Sequence, residues 1–292
     1  LVAAGNIFMG MTESPVLIKN YLPTMNRSEI FLVMVSGMGT IAGSVMGTYI
    51  GMLGGTDPAS KVLFATHLLS ASVMAVPGSI VLAKMLCPQT EEATDHVAVS
   101  GKEKENSNIL DAISSGTVTG VKLMTNIAAM LLVFISLVAL ANYVTEDVIG
   151  RYTGLNDWIV QISDGKAKGL TFQFILGVIT APFMWLIGVP GQDIMLVGSL
   201  LGQKTILNEF VAYFQLQQWK DAGLFMYEKS ILMSTYILCG FANISSIGIL
   251  LGGLGVLAPE KRGLISRIGV PAMIGGALVS VLSATIIGMI LG

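Results

Sequence analysis

The sequence predicts an all-α polytopic membrane protein, and three observations carry that prediction. Hydrophobic residues make up 53% of the 292 and charged residues only 12%, where soluble domains carry about a quarter. Mean hydropathy is +0.76. Apolar runs long enough to cross a bilayer recur along the chain, and several are broken by glycines, polar centres or acids. The 34 glycines fit this class, because small residues let membrane helices approach closely. A net charge of −2 gives no basis for binding nucleic acid, and two cysteines are too few for a disulfide framework.

Taken in order, residues 1–86 begin with a short interrupted segment and continue into spans at 30–53 and 62–86. The chain opens on Leu1 rather than Met, a few residues before a motif, and a further N-terminal part is expected to precede it. Residues 87–107 turn hydrophilic, with Glu91, Glu92, Asp95, Lys102, Glu103, Lys104 and Glu105 forming an extramembrane loop. Residues 108–146 read as a short interfacial helix at 108–120 followed by a span at 123–144. Mixed charges, glycines and Trp158 make 147–169 a surface connection with an interface anchor. Residues 170–190 are free of charge but contain Pro182 and end at Pro190, so this stretch either spans or lies at the interface.

Asp193, Lys204 and Glu209 interrupt the apolar pattern of 191–217 too often for an ordinary span. A re-entrant helical hairpin suits it better, because irregular backbone at membrane depth persists only where protein or a cavity satisfies it. Residues 230–258 are Gly-rich around the polar centre Asn243-Ile244-Ser245-Ser246, and 264–291 make the last span. Lys261, Arg262 and Arg267 put the connector before that span in the cytoplasm and the C-terminus outside, and the 16–29 connector falls on the same side.

Glu209 is the residue that most needs a reason. A charge at bilayer depth costs about 2.5–3.5 kcal/mol on insertion scales, so it faces a cavity, a partner or a substrate. The layout around it has an echo. Thr12-Glu13 lies in a short apolar segment followed by a Gly-rich span centred on Ser36 to Gly43. Thr205 and Asn208-Glu209 lie in another, followed by the Gly-rich span centred on Asn243 and Ser246. Paired interrupted segments in corresponding positions point to a transporter binding site at the midplane. Broken helices offer free N–H groups to substrate oxygens and free carbonyls to a cation.

Four stretches carry a resemblance. They are Gly5-Asn6-Ile7-Phe8-Met9-Gly10-Met11-Thr12-Glu13-Ser14-Pro15, Lys204 to Tyr213, Cys239 to Gly248, and Leu250 to Gly255 with Leu257-Ala258-Pro259. In them the chain resembles the concentrative nucleoside transporters over essentially its whole length. The resemblance implies a multi-pass protein of the cell inner (plasma) membrane, a homotrimer in the lipid bilayer. Its site would lie between two re-entrant hairpins and two centrally unwound transmembrane helices in an inverted repeat. Only the second arm of the first hairpin would be complete here.

By position, the resemblance implies that Glu209, Asn243 and Ser246 hold ribose hydroxyls and that Thr12 and Glu13 face the nucleobase. Val45, Leu123 and Phe241 would give apolar contact to the nucleoside. A coupling sodium ion would take the side-chain oxygen of Asn6, the Thr40 hydroxyl and the carbonyls of Met9 and Ile41. Where many members of the family have Gln, this chain has Met11, which offers a base edge no ordinary hydrogen bond and so shifts the expected base preference.

Other residues carry plainer expectations. His67 is expected to bond a neighbouring helix, His96 to be solvated, Asp193 to cap the first arm of the second hairpin, and Tyr213 and Trp219 to pack. Lys204 is expected to hold a carboxylate or carbonyl near the hairpin tip. The functions in view are sodium-coupled nucleoside transport, a proton-coupled variant of it, and a membrane enzyme using Glu13 and Glu209 as an acid–base pair. No His-Glu-x-x-His run, cysteine cluster or nucleophile elbow supports the enzyme, and single acids make no pore-lining ring.

Overall fold

The computed structural model describes residues 1–91, 108–163, 165 and 167–292. The greater part of the expected hydrophilic loop, His96 within it, and the Leu123 side chain lie outside the described residues. The described elements are helices: α1 (Val2–Gly5), α2 (Arg27–Met38), α3 (Gly43–Gly54), α4 (Pro58–Leu86), α5 (Ile109–Asn142), α6 (Arg151–Thr153), α7 (Leu155–Ile162), α8 (Phe172–Leu186), α9 (Ile194–Ile206), α10 (Glu209–Asp221), α11 (Glu228–Leu238), α12 (Ile244–Leu257) and α13 (Arg262–Ile290). Short 3-10 turns lie at Ser14–Ile18, Gly191–Asp193 and Pro259–Lys261, and a π-helical stretch at Tyr143–Gly150. Two units divide the chain: Leu1–Val97 with Gln173–Gly292, and Ala98–Phe172.

In the first unit one pattern occurs twice: a short interrupted segment, a broken helix, a long helix. The first copy runs from α1 through the Ser14–Ile18 turn to α2 and α3, then α4. The second runs from α9 and α10 to α11 and α12, then α13. Both expected central interruptions are present, at 39–42 and 239–243. Sequence chemistry sets their edges. Asn26 and Glu29 form a reciprocal capping box at the start of α2, and the Asn243 side chain accepts from the Ser246 amide to start α12.

The two interruptions meet. The Phe241 amide donates to the Thr40 carbonyl at 3.2 Å. A Cβ on Gly240 would lie 2.9 Å from the Met38 carbonyl oxygen, so only glycine lets the backbones come this close.

The second hairpin is two helices of 13 residues each, α9 and α10. At 1.5 Å per residue each arm is about 20 Å long, short of a hydrocarbon core of about 30 Å. Its turn is fixed by Asn208, whose side chain accepts from the Val211 amide at 2.9 Å. The 15-residue α8 is equally short to span, and it packs on α9 where a Cβ on Gly198 or Gly202 would strike Thr180 or Leu176. Arg27–Gly54, Pro58–Leu86 and Pro259–Ile290 are long and apolar enough to cross a membrane. The long helices expose apolar residues such as Val62, Val73, Val81, Val270 and Ile274, a surface suited to lipid.

Several expectations change. The interfacial helix and the span expected within 108–146 are one continuous helix, α5, because a glycine inside a helix costs only about 1 kcal/mol relative to alanine and Gly116 and Gly120 do not by themselves stop it. Most of the expected surface connection is helical, from the π-helical stretch through α7. The second arm of the first hairpin is a 3-10 turn and further turns up to Thr24, with Pro15 at its start. Asp193 sits at the start of α9 but makes no side-chain cap there. Its carboxylate accepts from the amides of Met226 and Tyr227 at 3.0 and 3.1 Å and so pins the connector that enters α11.

Candidate functional site

Glu209 is the first residue of α10, where the positive end of the helix dipole meets its carboxylate. It is 8% exposed. Tyr49 of α3 donates its hydroxyl to Oε1 at 3.1 Å, and Asn243 donates Nδ2 to Oε2 at 3.1 Å. Each oxygen thus takes one side-chain donor and keeps lone-pair capacity for another, since an ionised carboxylate offers about four acceptor sites. Two adjacent hydroxyls are the complement of that arrangement.

Asn243 is held by its own helix start. Its Oδ1 accepts from Ser245 Oγ at 2.6 Å, Ser246 N at 2.9 Å and Ser246 Oγ at 3.0 Å. The N-termini of α10 and α12 therefore converge on one carboxylate. Glu209, Asn243 and Ser246 come together as expected, with Asn243 and Ser246 2% and 1% exposed.

Sequence reasoning missed Tyr49. Its ring stacks on Tyr213, centroids 4.1 Å apart, and meets Phe210 edge-on at 6.0 Å. Tyr213 in turn donates to the Thr235 carbonyl at 2.9 Å. This pairing of aromatics fixes the hydroxyl that holds Glu209, so Tyr213 packs as expected but also supports the site. The only signal in the sequence is a Tyr on a Gly-rich helix with no nearby polar partner. Its partner lies 160 residues away.

A second constellation forms beside the first break. Asn6 is fully buried, donates Nδ2 to Ser36 Oγ at 3.1 Å and accepts at Oδ1 from Ser14 Oγ. Thr40 donates to the Ser36 carbonyl at 3.0 Å. Ser36 thus links the two side chains expected to bind the cation, and neither it nor Ser14 was foreseen. Thr40 and Ile41 are buried at the C-terminal, negative end of α2, whose last turn carries no basic residue. Met9 is partly buried on the loop before it. Amide, hydroxyl and carbonyl oxygens are hard donors, and an oxygen set at a helix C-terminus fits an alkali cation.

The remaining expected residues are more scattered. Met11 is buried in the apolar cluster with Met34, Met38 and Leu250, its Cβ 2.8 Å from where a Cβ on Gly37 would lie. Thr12 packs on Gly253 of α12. Glu13 is exposed, its carboxylate folded over Gly10, which has room for it only as glycine. Val45 and Phe241 are half-buried around the cluster that contains Tyr49 and Tyr213. His67 bonds Tyr236 at 3.1 Å, the neighbouring-helix partner expected of it. Lys204 is fully buried and donates to the Ile237 carbonyl at 2.7 Å and to Ser280 Oγ at 3.1 Å.

With that geometry in view, residues 67–288 match the family model described as the C-terminus of Na+ dependent nucleoside transporters. The chain belongs to the sodium-dependent nucleoside transporter family. Within the family it is 39% identical to an uncharacterised transporter of Haemophilus influenzae, covering 99% of this chain and 65% of that protein. It is likewise 39% identical to sodium/nucleoside cotransporter 1 of Rattus norvegicus, covering 99% of this chain and 44% of the relative.

Among solved structures, CNTnw in an inward-facing substrate-bound state superposes with a TM-score of 0.82 at 36% identity, over 99% of this chain and 63% of that one. An outward-facing CNTnw variant gives 0.84 at 35%, over 99% and 64%. The chain thus spans less than two thirds of the length of these relatives and neighbours. The family is one of membrane transporters, not of enzymes, and among the described residues this chain has three helices long and apolar enough to cross a membrane.

Proposed function

We propose that this chain forms the substrate- and ion-binding part of a secondary active transporter that takes up nucleosides with sodium. The observation that carries the reading is Glu209, buried, tied by one side-chain bond at each oxygen, and set between the N-termini of α10 and α12. A carboxylate so held accepts from two vicinal hydroxyls of ribose, while Asn243 and Ser246 supply the amide and hydroxyl around them. The base extends towards Thr12 and Glu13, with Val45 and Phe241 as apolar walls. Sodium binds among Asn6, Thr40 and the carbonyls of Met9 and Ile41.

The crossing of the two breaks couples the sites. The bond from the Phe241 amide to the Thr40 carbonyl joins the backbone of the cation site to the backbone just before Asn243. Ordering one break therefore orders the other, and by linkage sodium tightens nucleoside binding as much as nucleoside tightens sodium binding. The whole protein works by alternating access as a homotrimer in the inner membrane. The rat sodium/nucleoside cotransporter and the inward- and outward-facing CNTnw states support the sodium coupling and the alternating access in this reading.

The test is uptake of radiolabelled uridine and adenosine into proteoliposomes of the full-length protein. Accumulation driven by an inward sodium gradient is expected. Accumulation that ignores sodium and follows a proton gradient would move the reading to proton coupling, and chemical conversion of the nucleoside would overturn it.

A further inference from the structure

The start of α2 and the end of α4 frame a second polar place, apart from the residues proposed for nucleoside and cation. α2 has 12 residues, so its first turn lies about 18 Å along the helix from the first break. A cleft of about 280 Å³ sits there, with Asn26, Arg27, Ser28, Leu86, Cys87 and Glu91 among its walls.

Its chemistry suits an anion. Asn26 Oδ1 accepts from the Glu29 amide at 3.0 Å, and Glu29 takes the Asn26 amide at 2.8 Å. This capping box leaves the amides of Arg27 and Ser28 outside it, at the positive end of the helix. Asn26 is 9% exposed, and its Nδ2, turned away from the helix that Oδ1 caps, is buried with no hydrogen-bond partner among the described residues. Such an unmet donor is rare, and an oxygen of a ligand in the cleft would complete it.

Charge points the same way. Arg27 lines the cleft, and Lys84 stands behind Ser28, donating to Ser28 Oγ at 2.9 Å and to Gln89 Oε1 at 2.7 Å. Ser28 gives its own proton to the Cys87 carbonyl at 2.6 Å, which braces this wall against the end of α4. Lys261 bonds the carbonyl of Met25, one residue before the cap, at 2.8 Å. Glu29 in the capping box and Glu91 in the cleft wall are carboxylates that offset these three cations in part.

The apolar surroundings decide which anion fits. The cleft lies at the end of α4, a 29-residue helix long and apolar enough to cross a membrane. Its last residues, Met85 and Leu86, are 69% and 48% exposed. An amphiphile with its head in the cleft lays its tails along that helix, a contact that a free anion cannot make.

We propose that this cleft seats the phosphate headgroup of an anionic phospholipid. Asn26 Nδ2, the Arg27 guanidinium and the first-turn amides of α2 donate to phosphate oxygens, Lys84 adds charge from behind, and the acyl chains run past Met85 and Leu86.

The test is thermal unfolding of the full-length protein in detergent, titrated with phosphatidylglycerol, phosphatidylcholine or inorganic phosphate. Phosphatidylglycerol is expected to raise the melting temperature in a saturable way, since a ligand that binds only the folded state stabilises it, and phosphatidylcholine to do so far less. Asn26→Asp keeps the oxygen that caps α2 and replaces the unmet donor with an acceptor. It should leave the lipid-free melting temperature near that of the unaltered protein and raise half-saturating phosphatidylglycerol roughly tenfold. Arg27→Gln should shift half-saturation in the same direction, and Glu91→Gln, which removes an exposed carboxylate from the cleft, in the opposite one.

Half-saturation unchanged by these substitutions would overturn the proposal, as would equal protection by phosphatidylcholine. Equal protection by inorganic phosphate alone would also overturn it, by making the cleft a site for a free anion instead of a lipid. Should Asn26→Asp not fold, the opposed shifts of Arg27→Gln and Glu91→Gln decide.

Discussion

At the residue scale the site depends on a few bonds whose loss is measurable. Glu209→Gln keeps shape but removes charge, and gives Asn243 Nδ2 and Tyr49 a weaker acceptor. Bonds to a charged group contribute about 1.5–3 kcal/mol, so nucleoside affinity should fall at least tenfold, as read by equilibrium binding. Near-normal uptake would remove Glu209 from the ribose site. Tyr49→Phe keeps the ring stacked on Tyr213 and removes only the hydroxyl. A loss of about 1 kcal/mol, or roughly fivefold in affinity, is expected with thermal stability little changed.

Ser36→Ala leaves every proposed cation ligand in place yet frees Asn6 Nδ2. Half-saturating sodium should rise several-fold while affinity for nucleoside at saturating sodium holds, a split that separates support of the ligands from damage to the fold. Met11→Gln places an amide in an apolar cluster, so it should lower the melting temperature as well as alter the competition profile among nucleosides. An unchanged profile would free base preference from position 11.

At the element scale the crossing of the two breaks is the most constrained point. A Cβ on Gly240 would come within 2.7 Å of Ser280 Oγ, 2.9 Å of the Met38 carbonyl and 3.1 Å of the Gly39 backbone. Two of these atoms are backbone and cannot rotate away. Gly240→Ala should cost about 1–3 kcal/mol and lower the melting temperature in detergent. A wild-type melting curve would show that the breaks separate freely. The broken helices themselves were legible in the sequence, because Gly-Met-Gly-Thr at 37–40 and Cys-Gly-Phe-Ala-Asn at 239–243 put poor helix formers and a cap in the middle of apolar runs. The continuity of α5 was not legible. Its glycines and its change from polar to apolar surroundings look like a boundary, and only neighbours along a formed helix decide otherwise.

At the scale of the whole molecule, the repeat of hairpin, broken helix and long helix places Asn243, which holds the Glu209 carboxylate, and Thr40 of the proposed cation site on either side of one backbone crossing. Reciprocal tightening of sodium and nucleoside is the expected outcome, checked by measuring each affinity with and without the other. Topology has its own check: a cysteine at Glu260, beside Lys261 and Arg262, should react with a membrane-impermeant thiol reagent only from the cytoplasmic side.

The family resemblance alone implied that Glu209, Asn243 and Ser246 group together; the sequence by itself determined that this is an all-helical membrane protein, where its helices break, and that Glu209 is a buried acid in need of a reason. Those features follow from local chemistry: hydropathy, helix propensity, capping and the cost of a buried acid. Only the tertiary structure decided that Tyr49 holds Glu209, that Ser36 ties Asn6 to Thr40, that Asp193 pins a connector rather than capping α9, and that Lys204 serves the end of α11. Apart from the local Thr40–Ser36 bond, each of these is a hydrogen bond between residues 30 or more positions apart, satisfied because burial leaves a polar group no water to turn to. Which partner it finds depends on how the helices pack.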